Sequence, residues 1–226
     1  MDVERFTAEL PDLFDDFPNS PHPPPARSRH FDDVIAGIPN LAEENVLALL
    51  NLAASLLGPG ESYVEVGTYY GASLIGAMRG NDGDFVAIEA FSFEAREVKG
   101  RKLPAASREG LEESLRRFGC AGATILEGDA FELLEDGALG DRRVGVYYYD
   151  GPHDYDSQVR GLRAVEPWLA DEALLVVDDH DWEQVEQATA DYLAAQPRAE
   201  SLFVISGADK GAPQWWEGVA VLAWRA

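Results

Sequence analysis

From residue 62 onward, short β-rich apolar runs alternate with longer stretches of helical spacing. The apolar runs cover residues 62–66, 85–89, 123–127, 144–149, 173–178, 202–206 and 218–224. The first five are separated by segments, 71–80, 93–119, 130–138 and 156–170, that can each hold a helix. Continuous apolar strands joined by helices predict a parallel sheet covered on both faces. A further helix is expected at 182–196. The last two runs follow it, joined by a polar loop, and read as a terminal hairpin. The expected fold class is therefore α/β: a seven-stranded, mostly parallel sheet with helices on both faces and an antiparallel terminal strand.

Upstream, Phe6, Leu10, Leu13 and Phe14 recur at helical spacing within residues 1–17, which predicts a short acidic helix. Residues 18–30 hold five prolines. Proline fixes φ and lacks an amide donor, so this stretch reads as an extended connector. A helix is expected over 41–57, capped by Asn40 with Glu43 at the capping-box position. Val46, Leu50, Ala53 and Leu57 line one face, and Gly58-Pro59-Gly60 ends it. The chain thus divides into an N-terminal arm with a proline-rich connector, 1–40, and one domain, 41–226.

Composition narrows the function classes. With 226 residues, 46% hydrophobic and 10% aromatic, the chain can bury one sizeable core and is not disordered. Lys and Arg number 18 against 41 Asp and Glu, a formal net charge of −23. Such a surface repels phosphate backbones and anionic membranes, so neither nucleic acid nor membrane is an expected partner. No apolar stretch reads as a membrane-crossing helix. The acidic start, MDVERFTAEL, is unlike a signal peptide, and the single Cys120 offers neither an internal disulfide nor a zinc cluster. Both point to the cytoplasm.

In an open α/β sheet, ligands bind beyond the carboxyl ends of the strands. An acid stands at each of the first five: Glu65, Glu89, Glu127 with Asp129, Asp150, and the pair Asp178-Asp179. Gly67 and Gly71 flank the first strand-to-helix turn, where glycine lets a ligand approach the backbone. The spacing is not the G-x-G-x-x-G of dinucleotide enzymes, and a tight turn without a ligand explains it equally well. A carboxylate at Glu89 would accept both hydroxyls of a ribose and repel a phosphorylated one. Asp129 stands where an adenine edge would lie; the other reading is a helix cap.

These residues resemble the first motifs of the class I S-adenosylmethionine-dependent methyltransferases: Glu65-Val-Gly67-Thr-Tyr-Tyr-Gly71, the acid Glu89, and Gly128-Asp129-Ala130. The resemblance covers about residues 41–226 and implies a Rossmann-like sheet. It also implies that the Glu65–Gly71 loop holds the methionine portion of S-adenosylmethionine with Ser73 near its carboxylate, that Glu89 binds the ribose, and that Asp129 and Ala130 contact adenine. Asp150 is carried into the same site.

Asp150 and the Asp178-Asp179 pair end two strands 28 residues apart. Carboxylates converging there repel one another unless a cation or protons lie between them. Oxygen ligands suit Mg²⁺, Ca²⁺ or Mn²⁺. The segment Tyr149-Asp150-Gly151-Pro152-His153-Asp154-Tyr155, followed by Val177-Asp178-Asp179-His180, resembles an Asp-Gly-x-His-x-Tyr and Val-Asp-Asp subgroup. That subgroup adjoins the metal-dependent sugar O-methyltransferases and, more distantly, the catechol-type enzymes. The resemblance implies Asp150, Asp178 and Asp179 as ligands of a divalent ion, Mg²⁺ first. His153 is the first candidate for the base and His180 the second. Loop capping by Asp150 and a solvated acidic pair is the alternative.

Tyr147, Tyr148 and Tyr149 face alternate sides of their strand and read mainly as core packing. Tyr69 and Tyr70 flank the glycine loop. Trp215 and Trp216 suit either a homo-oligomer interface or a local core plug. Residues 94–117 carry seven basic residues against five acids. This reads as a solvated amphipathic helix, with an anionic-substrate patch as the alternative. The function expected is metal-assisted O-methylation of a small hydroxylated molecule. A metal-independent or hydroxylase-like enzyme, or a silent S-adenosylmethionine-binding module, would share the same motifs.

Overall fold

Five of the six residues of β1 (Glu61–Val66) are buried, as are five of six in β2 (Asp84–Glu89). Strands so apolar on both faces need cover on both sides. The computed structural model describes residues 1–14, 17–18, 31–207 and 215–226. The remaining strands among them are β3 (Arg96–Val98), β4 (Arg101–Leu103), β5 (Thr124–Glu127), β6 (Arg143–Tyr149), β7 (Leu169–Asp178), β8 (Ala199–Ile205) and β9 (Val219–Arg225). Seven form one sheet in the order β5-β2-β1-β6-β7-β9-β8, while β3 and β4 pair separately. β9 runs antiparallel to both its neighbours and the other sheet pairings are parallel, which matches the expected terminal hairpin.

The helices are α1 (Val3–Glu9), α2 (Asp32–Gly37), α3 (Glu44–Ser55), α4 (Ala72–Met78), α5 (Arg108–Arg117), α6 (Ala130–Glu135), α7 (Tyr155–Ala164) and α8 (Glu183–Ala195). Side chains of α1 to α5 form one hydrophobic cluster with one face of the sheet. Those of α6, α7 and α8 form the second with the other face. Tyr147 and Tyr149 lie in the second cluster and Tyr148 in the first, as strand alternation requires. No helix among the described residues is long and apolar enough to cross a membrane.

Three local expectations change. All residues of α3 from Asn45 to Ala54 are buried, so the helix is covered all round rather than along one stripe. Asn40 does not cap it; its Nδ2 donates to Ile35 O at 2.9 Å and Ile38 O at 2.7 Å, closing the end of α2. The 93–119 segment holds a helix only from Arg108, because β3 and β4 precede it as a hairpin. Lys99 (φ 47°) and Gly100 (φ 81°) form its two-residue turn. Positive φ at both central positions matches the right-handed strand twist. Of the proline connector, only Pro18 lies within the described residues.

Trp215 is fully buried, packs on Phe14 at 5.4 Å, and donates from Nε1 to Pro18 O at 2.6 Å, so it is a core plug. Trp216 is half-buried beside the hairpin.

The order β2-β1-β6 places the reversal of strand order between β1 and β6, where the ends of neighbouring connections diverge and leave a crevice. Asn51, fully buried in α3, donates from Nδ2 to Gly76 O at 2.6 Å and to Arg79 O at 2.7 Å, tying α3 to the C-terminal end of α4, the helix whose N-terminus borders this crevice. N51A strands two carbonyls and opens a void. Urea unfolding is expected to show a loss of about 2–3 kcal/mol with an unchanged m-value; a loss under about 0.5 kcal/mol would show that the tie carries little.

Candidate active site

A cavity of about 570 Å³ opens at this strand-order reversal, in the range usual for small-molecule sites. Of the residues singled out in the sequence, Gly67, Ser73, Glu89, Asp129, Ala130, Asp150, His153, Asp178 and Asp179 line it. Glu65, Gly71 and His180 do not.

The glycine loop owes its geometry to the neighbouring strand end. Gly67 has φ +86°, and a Cβ there would lie 1.9 Å from the carbonyl oxygen of Asp150. Main-chain bonds from Gly67 N to Ile88 O and from Asp150 N to Val66 O, each 3.0 Å, hold β2, β1 and β6 in this arrangement. Tyr69 adopts φ +52°, a conformation costing a non-glycine residue about 1–3 kcal/mol. Its N–H donates to Glu89 Oε2 at 2.6 Å, which helps hold it there.

Glu65 lies beneath the loop. It is fully buried and accepts from Tyr63 OH at 2.7 Å and Ser73 Oγ at 2.8 Å. Glu65 thus orients Ser73, which faces the cavity. Burial pushes the Glu65 carboxyl up to about 7, against the lowering effect of these two hydroxyls.

Glu89 Oε1 accepts from Phe91 N at 2.7 Å, so each of its oxygens already holds one backbone donor. A carboxylate oxygen has a second lone pair, which leaves room for two ligand hydroxyls. Asp129 is the N-cap of α6: its Oδ1 accepts from Phe131 N at 2.9 Å and Glu132 N at 3.0 Å. The helix-cap reading of Asp129 is thus realised, and the residue also lines the cavity.

At the other end of the cavity the acids crowd together. Oxygens of Asp150 and Asp179 and a ring nitrogen of His153 all lie within 4.8 Å of one another. His153 Nε2 is 3.1 Å from Asp179 Oδ2 and 3.8 Å from Asp150 Oδ1. Asp178 stands outside this trio; its Oδ2 accepts from Tyr148 OH at 2.5 Å. The convergent donor set is therefore Asp150, His153 and Asp179, not the three aspartates expected. The cause is the backbone of Asp179, whose φ of +50° breaks strand alternation after Asp178. Burial raises the carboxyl groups of Asp150, Asp178 and Asp179 well above the ordinary range. The charges of Asp178 and Asp179 push Asp150 further, and that of Asp179 acts likewise on Asp178. Burial lowers His153, whose Nδ1 is enclosed with no hydrogen-bond partner among the described residues. Such a group cannot be fully ionised without protons or a cation between its members. Two carboxylates and an imidazole fit a divalent ion.

His180 is buried, and its backbone N–H donates to Gly218 O at 3.2 Å, which leaves His153 as the histidine of the cavity. Two lining residues carried no signal in the sequence. Tyr148 looked like core packing, yet it holds Asp178; Trp182, 40% exposed, stands edge-on to His153 at 5.1 Å.

The Glu65 environment makes a pH-dependent contribution. Its carboxyl titrates near 7 in the folded chain against an ordinary 4.5. This raised value stabilises the fold fully below about pH 4.5, and the contribution disappears as pH rises to about 7, on the order of 3 kcal/mol in all. Urea unfolding of the wild-type chain should therefore weaken by about 2–3 kcal/mol relative to E65Q between pH 5 and pH 8. A constant difference would mean that Glu65 titrates normally.

A family model described as a methyltransferase domain matches residues 64–180, more than half of the chain. No curated protein sequence matches it. Among solved structures, an O-methyltransferase from Bacillus cereus in complex with SAH is 14% identical; the alignment covers 87% of this chain and 90% of that one with a TM-score of 0.59. The O-methyltransferase TomG from Streptomyces achromogenes, involved in tomaymycin synthesis and solved with SAM, is 19% identical over 88% and 90% of the chains with a TM-score of 0.61. The SAH-bound methyltransferase PaMTH1 from Podospora anserina is 14% identical over 99% and 95% with a TM-score of 0.60. These neighbours share the fold, and the domain match, running from β1 through the Asp178-Asp179-His180 strand end, makes this chain a member of that methyltransferase-domain family.

Proposed function

We propose that the chain is an S-adenosylmethionine-dependent O-methyltransferase that methylates a hydroxyl of a small molecule with the help of a divalent cation. One observation carries this reading: a single cavity joins the glycine loop, Glu89 and Asp129 to the Asp150–His153–Asp179 group. Gly67 and Ser73 would hold the methionine portion, Glu89 the ribose, and Asp129 with Ala130 the adenine edge. S-adenosylmethionine supplies an electrophilic methyl on a cationic sulfur. Asp150 and Asp179 would hold the cation, Mg²⁺ being the ion their oxygens suit. A divalent cation supplies Lewis acidity that lowers the pKa of a hydroxyl and orients it.

His153 takes the proton. Burial keeps its imidazole neutral, and a neutral imidazole has one donor and one acceptor nitrogen. Nδ1 is enclosed and carries the proton of the neutral ring, so Nε2, the nitrogen turned toward Asp150 and Asp179, is the acceptor. Trp182 restricts the ring's movement, and Tyr148 keeps Asp178 in place behind the trio. What remains of catalysis is alignment of the acceptor with the methyl group, which the cavity walls would provide.

The test measures S-adenosylmethionine binding by calorimetry and S-adenosylhomocysteine formation on a panel of polyols and phenols, with Mg²⁺ and with EDTA. Turnover should need Mg²⁺ and fall at least about a hundredfold in D179A while cofactor affinity changes less than about threefold. Unchanged turnover in D179A or in EDTA would remove the metal from the reading. Cofactor binding without methyl transfer to any acceptor would leave a binding module.

A further inference from the structure

The cavity's outer wall is the β3–β4 hairpin. Tyr69 OH donates to Pro104 O at 2.6 Å and Ala106 N to Phe93 O at 2.8 Å, so both ends of the hairpin are fastened beside the glycine loop. The hairpin brings in the only two cationic side chains that line the cavity among the described residues, Arg96 and Lys99. Lys99 pairs with Glu217 and lies over the Trp216 ring at 4.6 Å. Arg96 forms no ion pair with a described residue; its guanidinium carbon sits 4.2 Å from the centroid of the Phe93 ring. A guanidinium packed on a ring keeps its N–H donors at the edge, where they match a planar two-oxygen anion.

None of the six acids that line the cavity among the described residues pairs with it; each has other partners. Glu89 is held by two backbone N–H groups, Asp129 by the start of α6, Asp178 by Tyr148, Asp150 and Asp179 by each other's neighbour His153, and Glu217 by Lys99. The surroundings are flat: Tyr69, Phe93, Trp182 and Trp216 face the same space. We propose that the methyl acceptor is a small planar molecule bearing a carboxylate as well as its hydroxyl, and that Arg96 selects it through that carboxylate. The hydroxyl rests on the transferase reading above; the anion seat rests on Arg96 alone. In a chain of net charge −23, which repels anions in general, a guanidinium at the cavity with no ion-pair partner among the described residues gives a carboxylate a specific contact there.

The experiment compares a dihydroxybenzoate with the dihydroxybenzene that lacks the carboxylate. Both are offered with S-adenosylmethionine and Mg²⁺ to the wild-type chain, R96A and R96K. The ratio of kcat/KM should favour the benzoate by about tenfold to a hundredfold in the wild type, as expected for a charge-assisted contact. In R96A the ratio should fall toward one, mainly through KM, and R96K should recover part of it. Equal use of both acceptors by the wild type, or equal loss of both in R96A, overturns the proposal. Calorimetric binding of the benzoate separates this from the transferase reading. Binding that is lost in R96A, without turnover, keeps the anion seat and removes the transferase; no binding of the benzoate to the wild type overturns the seat whatever the turnover.

Discussion

Three aspartates brought to one rim of the sheet set the terms for the rest of this structure. Asp150 directly follows β6, and Asp178 ends β7, its neighbour in the sheet, with Asp179 next in the chain. Their charges lie close together, and the described residues that answer them are one imidazole, one tyrosine hydroxyl and, at Asp179, the ammonium of Lys99. The net charge of −23 therefore has two parts. Most carboxylates lie scattered on helices and connections; a small group at the strand ends shares one cavity.

The sheet makes that group unavoidable. Parallel pairing of β1 with β6 and of β6 with β7 brings the strand ends side by side, and the reversal at β1 opens the crevice above them. Gly67 is the point of closest approach, since any side chain there would meet the carbonyl of Asp150. The glycine loop and the acid group are thus one mechanical unit: the same backbone contact that shapes the loop also sets the position of Asp150. Glu65 below and Glu89 beside it fix Ser73 and Tyr69 in turn.

Much of this was legible in the sequence, because a buried parallel strand advertises itself as a continuous apolar run and its end as the first charged residue. All seven sheet strands, the glycine turn and the acids at the strand ends could be read that way. Side-chain direction at the rim could not. Asp179 rather than Asp178 joins Asp150 because of a left-handed backbone at a non-glycine residue, which has no sequence signature. The β3–β4 hairpin was hidden by charged residues that read as a helix; its only clue was the Lys99-Gly100 pair before Arg101, weaker than the usual asparagine–glycine turn. Asn40 looked like a helix cap and instead closes the preceding helix, because capping residues serve either end of a connection. Tyr148 looked like packing because strand alternation says which face a residue meets, not which partner its hydroxyl finds.

Under the proposed function, the acid group exchanges its protons for a divalent cation. Calorimetric titration of the chain with Mg²⁺ near pH 7, repeated in two buffers of different ionisation enthalpy, measures that exchange directly. Binding should be accompanied by release of about one proton or more, because the raised carboxyl groups of Asp150 and Asp179 must lose their protons to coordinate. Both the heat and the proton release should vanish in the D150N/D179N double variant. Absence of Mg²⁺ binding, or binding with no proton released, would contradict it.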